Sequence, residues 1–462
     1  MAARNVTDPD VWWHLRTGQL ILETHHIPRT DPYSFTKFNT PWTDHEWLTQ
    51  VIIYATYHVT GWAGLMVEFA FVTALTYGLV FLRSPGRPFI AGAITTWGAV
   101  ASIPSWGVRP QTLTLLLASL FLFLLDRSFK RPEVLWWLPL LMLFWVNLHA
   151  GYALGIALLI LYLLGKGLDL AFGESQSSDS ARWFREAGLV AFLCVAVVPL
   201  NPYGPRLYSY PFETLRSPAM MANITEWLSP NFHQGKHLPL LLLVLAVLGL
   251  AALSPKKLQP LQLLLLCATL FAALRSVRHI PIFVLVAVPI VSGMLDSWVR
   301  ERFGQKVFGD QPRSLHLSKL IFNLLLVLGM VCFAGLRLRY VISHQPAVEA
   351  HEFPKDGVSF LAKNQLPGPL LNHYNWGGYF IWKLYPEDQV FIDGRADVYG
   401  DAFMNAFAAS YYLRSPSWRE LLERWNIRTL ALPPDSPLIS ALQNDRGWKT
   451  AFSDHQIVIL TR

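Results

Sequence analysis

Apolar residues in this 462-residue chain come in long blocks, each close to the roughly 16 to 23 residues that a helix needs to cross a hydrocarbon core about 30 Å thick. Ten such blocks fall at 61–82, 88–105, 111–126, 134–148, 152–170, 187–200, 238–253, 258–274, 280–295 and 319–336. Several are short, so their boundaries are soft. Hydrophobic residues make up 53% of the chain and charged residues only 15%, where a soluble domain is about a quarter charged. The surplus apolar surface needs lipid as a second solvent. The expected fold is therefore mainly α: a polytopic transmembrane helix bundle of about ten spans, followed by a small C-terminal α/β soluble domain.

The formal charge of +7 is spread through short loops instead of gathering in one patch, which is how membrane proteins distribute Lys and Arg and which argues against nucleic acid as a partner. Numbering the loops alternately puts Arg83, Arg87, Arg127, Lys130, Lys166, Lys256, Lys257, Arg300, Arg313 and Lys319 on one side. By the positive-inside rule that side is the cytoplasm. The other side then receives an exported loop with an interfacial amphipathic helix (1–60) and the outer loops of the bundle (61–338). It also receives a C-terminal extracytoplasmic α/β domain (339–462), where β-prone runs at 369–372, 390–393, 427–432 and 457–461 alternate with helical stretches such as Ser417 to Trp425. Within the exported loop, Glu46 to Val59 reads either as a helix lying in the membrane interface or as one packed on the bundle. Cys194, Cys267 and Cys332 all fall in apolar blocks and read as small apolar side chains. Met1 to Asp10 is polar, with no signal-peptide core.

Several polar constellations share the outer face. Asp8-Pro9-Asp10 stands beside Trp12, Trp13 and His14, and Asp44-His45-Glu46 follows later. Paired carboxylates near a bilayer surface can supply a general base or hold a divalent cation such as Mg or Mn, while Pro9 equally invites a turn with Asp8 as its cap. Arg275, Arg278 and His279 stand at i, i+3 and i+4, sharing a face if the helix persists. Cations there run against the positive-inside bias, and guanidinium groups grip phosphate in a bidentate fork; the competing reading is an internal salt bridge. Arg109 and His149 lie singly at outer helix ends, each open to a structural or a substrate role. The segment 201–237 carries Tyr203, Glu226 and Trp227, readable as interfacial anchors or as a platform for a sugar ring. In the tail, Asp393, Arg395 and Asp397 follow an expected strand, and a local Asp–Arg salt bridge is the favoured reading.

The strings DPDVWWHLRTGQLILE, PRTDPYSFT and PWTDHEWLTQ resemble the first exported loop of bacterial GT-C-type membrane glycosyltransferases, in the RgtA/B/C/D-like and dolichyl-phosphate-mannose mannosyltransferase-like group. WVNLHAGYALG, NPYG, ITEWLSP and RSVRHIPIF extend the likeness along nearly the whole chain. The resemblance implies a polyprenyl-phosphate sugar donor and an acidic catalytic base in that loop, here Asp8 or Asp10. That family places a transmembrane helix before the loop, yet only seven residues precede Asp8, so the chain is expected to lack it.

The expected activity is transfer of a sugar from a polyprenyl-phosphate donor to an acceptor hydroxyl of a glycan, lipid or protein, at the outer face of the bacterial plasma membrane. Asp10 or Asp8 would act as base, and Arg275, Arg278, His279 and Arg109 would hold the donor phosphate. His14, Asp44, Glu46, His149, Tyr203, Glu226 and Trp227 would shape the pocket, and Asp8 and Asp10 would bind any cation. The alternative is a non-catalytic assembly or binding subunit of the same fold. A transporter ranks third, because no span carries a midmembrane acidic chain.

Overall fold

The computed structural model of the protein describes residues 2–171, 178–307, 317–416, 418–443 and 445–462. Helix α1 (Val11–Thr24) and helix α2 (Trp47–Arg83) carry the N-terminal part, and the bundle continues through α3 (Pro88–Ala101), α4 (Pro110–Ser128), α5 (Trp137–Leu148), α6 (Tyr152–Ala171) and α7 (Ser178–Ala196). Two short helices, α8 (Tyr210–Arg216) and α9 (Pro218–Asn223), lie in the long segment 201–237 before α10 (Leu238–Leu253), α11 (Pro260–Arg275), α12 (Ile280–Val307) and α13 (Leu317–Glu352). Each of the ten apolar blocks is helical. Among the described residues seven helices are long and apolar enough to cross a membrane, with shorter apolar ones at Pro88–Ala101, Pro132–Leu148 and Pro260–Arg275. The protein is an integral membrane protein.

Local chemistry sets these boundaries. Proline opens α3, α4 and α11 and stands second in α10, where its missing N–H has no helical partner to lose and its fixed φ suits the first turn. Gln259 and Gln262 close a reciprocal cap on α11. The amphipathic run and the first apolar block are fused in α2, but Gly61, at φ 61°, breaks the helical path between them. Only glycine adopts that conformation without strain, so the segment before Gly61 takes its own direction. Its N-terminal end is anchored by Thr49 Oγ1 donating to Leu148 O at 2.6 Å and by Trp47 Nε1 donating to Asn147 Oδ1 at 3.0 Å.

Basic residues gather at one end of the bundle. Arg83 donates to Asp126 at 2.8 Å and to Leu285 O at 2.7 Å, and Asp296 pairs with Arg87 at 3.3 Å and Arg300 at 2.7 Å. Arg313 lies outside the described residues, as does Ser417.

The tail holds α14 (Lys355–Lys363), α15 (Gly377–Leu384), α16 (Ala396–Tyr411), α17 (Trp418–Arg424), α18 (Pro437–Leu442) and a four-stranded sheet in the order β1-β2-β4-β3. Strands β1 (Leu370–Asn372) and β2 (Thr429–Leu432) are parallel, whereas β4 (Val458–Thr461) is antiparallel to both β2 and β3 (Lys449–Ser453). Residues 390–393 are not a strand of this sheet, contrary to the sequence expectation. The Asn372 side chain occupies their backbone groups, accepting from Phe391 N at 2.8 Å and donating to Ile392 O at 2.7 Å, and Val390 bridges to Ser34 instead. Their apolar character serves burial: Val390, Phe391 and Ile392 are all in the core.

One hydrophobic cluster unites the two chain ends. Val6, Trp12, Trp13, Tyr33 and Trp42 pack with Trp376, Tyr379, Phe380 and Ile459, and Trp12 meets Tyr379 edge-on at 4.7 Å. The contact is close enough that a Cβ on Gly378 would meet Pro9 O at 2.5 Å. The tail is thereby fixed directly over the N-terminal segment.

Candidate active site

Asp8 and Asp10 differ in what surrounds them. Asp8 Oδ1 accepts from Asp10 N at 2.9 Å, the turn that Pro9 suggests, and its other oxygen is ion-paired with Arg109. Arg109 also pairs with Glu226, so it links the N-terminal segment to residues 201–237 through two carboxylates. Burial opposes ionisation of Glu226, but Arg109 and Arg278 overcome it and hold that carboxyl below its usual range. Asp10 has no cation against it among the described residues. Its partner is Trp13, whose Nε1 donates at 3.1 Å. Burial, reinforced by the charges of Glu226, Glu46 and Asp393, pushes its pKa up to about 7. Such a group is poised to exchange a proton near neutrality. Gly394 leaves room for it: a Cβ there would lie 1.8 Å from Asp10 Oδ1.

A second cluster forms where α2 begins. Glu46 precedes its first turn and meets His45 Nε2 at 3.5 Å, His14 Nδ1 at 3.7 Å and His149 Nε2 at 3.9 Å. Burial works against ionisation of Glu46, yet these histidines, His45 foremost, hold its carboxyl well below the usual range. His45 is raised on balance: burial would lower it, but Glu46 prevails. Burial pushes His14 down to about 4 and His149 to about 3, so both rings are neutral at pH 7. Asp44, buried and next to Glu46, is pushed up to about 8 and accepts from Gln50 Nε2 at 2.6 Å. His149 Nδ1 is engaged by Thr114 Oγ1 at 2.9 Å and Gly151 N at 3.0 Å, which leaves Nε2 facing Glu46.

Donor atoms of His45, Glu46 and His149 lie within 4.8 Å of one another. Among the described residues this trio brings enough ligand atoms together to hold a cation. Two imidazoles and a carboxylate suit Zn or Mn better than Mg, which prefers oxygen ligands. His45 had no role assigned from sequence; its adjacency to Glu46 was the available signal, but the convergence with His149 is tertiary.

The basic group is rearranged relative to expectation. Helix α11 ends at Arg275, Ser276 is extended, and a single 3-10 turn covers Val277–His279, so the i, i+3, i+4 face does not form. Arg278 lies over Trp227 at 5.1 Å and His279 meets the same ring edge-on at 5.8 Å. Arg275 is exposed. Tyr203 turns toward the N-terminal segment, donating to Pro28 O at 2.6 Å beneath Arg29.

The favoured Asp–Arg pair of the tail is present and extends further than the turn. Arg395 binds Asp393 through Nε and Nη2 at 2.8 and 2.7 Å, and its Nη1 is 2.7 Å from Asp31 of the N-terminal segment, close but off the hydrogen-bond direction. Tyr33 and Trp42 stack on the guanidinium.

The sequence matches no protein-family model and no curated protein. Among solved structures the fold is similar to the oligosaccharyltransferase of Archaeoglobus fulgidus in its apo form, with a TM-score of 0.55 and 11% identity over 93% of this chain and 66% of that one. The chain therefore spans about two thirds of the archaeal protein. That protein, AglB, has also been solved with an inhibitory peptide and a dolichol-phosphate. ArnT from Cupriavidus metallidurans in the apo state is similar over 99% of this chain and 94% of its own, with a TM-score of 0.51 and 15% identity. The fold is that of GT-C-type membrane glycosyltransferases.

Proposed function

We propose that the protein is a membrane glycosyltransferase that moves a sugar from a polyprenyl-phosphate donor to an acceptor hydroxyl. The observation that carries this reading is the convergence, at one end of a GT-C-type bundle, of a carboxyl titrating near neutrality with the His45–Glu46–His149 trio and Arg278. The sequence resemblance and the complex of AglB with dolichol-phosphate support the choice of donor class. The concentration of basic residues at the opposite end supports an extracytoplasmic site under the positive-inside rule.

In this mechanism Asp10 accepts the proton of the acceptor hydroxyl as its oxygen attacks the anomeric carbon. The bond from that carbon to the phosphate oxygen breaks, and polyprenyl phosphate leaves with its electron pair. Attack opposite the leaving phosphate inverts the anomeric centre. Arg278, held flat by Trp227, stabilises charge growing on the leaving group, with His279 beside it. Arg109 positions the loop by pairing Asp8 with Glu226. A divalent cation on His45, Glu46 and His149 would add positive charge beside that phosphate. The neutral state of His149 fits such a role, since imidazole ligates without its second proton, whereas His45, raised by Glu46, would release its proton on binding the cation.

A second reading, a non-catalytic assembly or binding subunit, is favoured by the neutralisation of Arg109 by Asp8 and Glu226. The two separate in one experiment. Detergent-solubilised protein incubated with polyprenyl-phosphate sugars and hydroxyl acceptors should release polyprenyl phosphate, and Asp10→Asn should abolish the release while the protein stays folded. Lipid binding without turnover in the wild type would favour the subunit.

A further inference from the structure

Two acidic residues of the tail approach the exported loop, and they are used differently. Asp393 is consumed by Arg395 and by the Tyr399 hydroxyl, which donates at 2.7 Å. Asp397, in the first turn of α16, forms no ion pair among the described residues and is solvent-accessible. Its Oδ2 accepts from the Tyr210 hydroxyl at 3.1 Å. Tyr210, the first residue of α8, is buried, and its ring packs on that of His45 with centroids 4.6 Å apart and planes 36° apart. Tail, outer segment and exported loop thus meet in one chain of contacts, Asp397 to Tyr210 to His45.

We propose that Asp397 is a positioning residue for His45 and acts through Tyr210. The phenol has two rotatable torsions, and the hydrogen bond to Asp397 fixes its far end. The fixed ring then presents one face to the imidazole. Besides Tyr210, the His45 ring has a long contact from Nδ1 to Thr43 O, 3.4 Å, and meets the His149 ring edge-on at 5.8 Å. With the ring held, Nε2 stays 3.5 Å from Glu46 and directed at the space shared with His149. Groups that orient a ligand imidazole commonly change metal affinity about 10- to 100-fold when removed. The inference rests on the cation reading of the His45–Glu46–His149 trio, and it makes docking of the tail a condition for a complete centre.

The test is titration of the detergent-solubilised full-length protein with Co²⁺, whose visible absorption reports ligand identity and geometry. Wild type, Asp397→Asn, Asp397→Glu, Tyr210→Phe and the double variant Asp397→Asn/Tyr210→Phe are compared, with His149→Ala as reference. Tyr210→Phe removes only a hydroxyl and keeps the buried ring, so it reads the link even if Asp397→Asn folds poorly. Asp397→Asn and Tyr210→Phe should each weaken Co²⁺ binding about 10-fold and shift the visible band. The double variant should be no worse than either, and Asp397→Glu should recover part of the affinity. Unchanged affinity and spectrum in both single variants, alongside weakened binding in His149→Ala, overturn the positioning role alone. Effects that multiply in the double variant overturn the route through Tyr210. A wild type that binds no Co²⁺, or a His149→Ala protein that binds as well as wild type, overturns the cation reading and this inference with it.

Discussion

Asp10 and Gly394 make a pair in which one residue's missing side chain leaves space for the other's carboxyl. A methyl group at residue 394 would overlap Asp10 Oδ1, and a displacement of about 1 Å at a reacting group can cost about 10²-fold in rate. Gly394→Ala should therefore lower transfer about 100-fold in a steady-state assay while leaving the melting temperature near that of wild type. Asp10 also sets a pH signature. With its pKa raised to about 7 by burial, the rate should climb as pH rises through 7 and the base ionises. Stability carries the opposite sign: between about pH 4, the ordinary carboxyl value, and pH 7 the folded protein holds the proton more tightly than the unfolded chain, so stability falls as pH rises across that window. Comparing melting temperatures of wild type and Asp10→Asn from pH 4 to 7 should show the wild type losing ground. A constant difference would place Asp10 in a solvated environment.

Among the elements, the DGR turn before α16 ties the tail to the N-terminal segment. Arg395, nearly inaccessible, is matched by Asp393 and Asp31, which are fully buried. Removing the guanidinium strands two buried carboxylates, a change that costs about 3 to 5 kcal/mol when one partner of a buried pair is lost. Arg395→Ala should show that loss in detergent thermal melts, and Arg395→Lys should recover little because ammonium lacks the planar fork. The sequence made the Asp–Arg pair legible, since both residues lie in one turn. It could not reveal Asp31, which is more than 360 positions away along the chain. A similar limit applies at Ser276. The i, i+3, i+4 spacing of Arg275, Arg278 and His279 suggested one face, but the extended backbone at Ser276 separates Arg275 from the other two. Residues 390–393 show the converse case, where β-prone residues are buried by side-chain hydrogen bonds from Asn372 without joining the sheet.

For the whole molecule, apolar block length was enough to place the ten apolar helices seen among the described residues, seven of them long enough to cross a membrane, because lipid imposes a length that soluble cores do not. The convergence of His45, Glu46 and His149 was not legible, since α2 and the α5–α6 turn meet only in the folded bundle. The proposed orientation makes its own prediction. Lys257→Cys should be protected from an impermeant thiol reagent in intact cells, and Asp435→Cys should react, in a background lacking Cys194, Cys267 and Cys332. The reverse pattern would put the site in the cytoplasm.

The central claim is that this fold performs glycosyl transfer with Asp10 as base. The most direct measurement is mass-spectrometric detection of polyprenyl phosphate and glycosylated acceptor after purified protein is incubated with polyprenyl-phosphate sugars, in parallel with Asp10→Asn. Wild type should form both products in equal amounts and the variant should form at least about 10²-fold less. Equal product formation by Asp10→Asn would contradict the account.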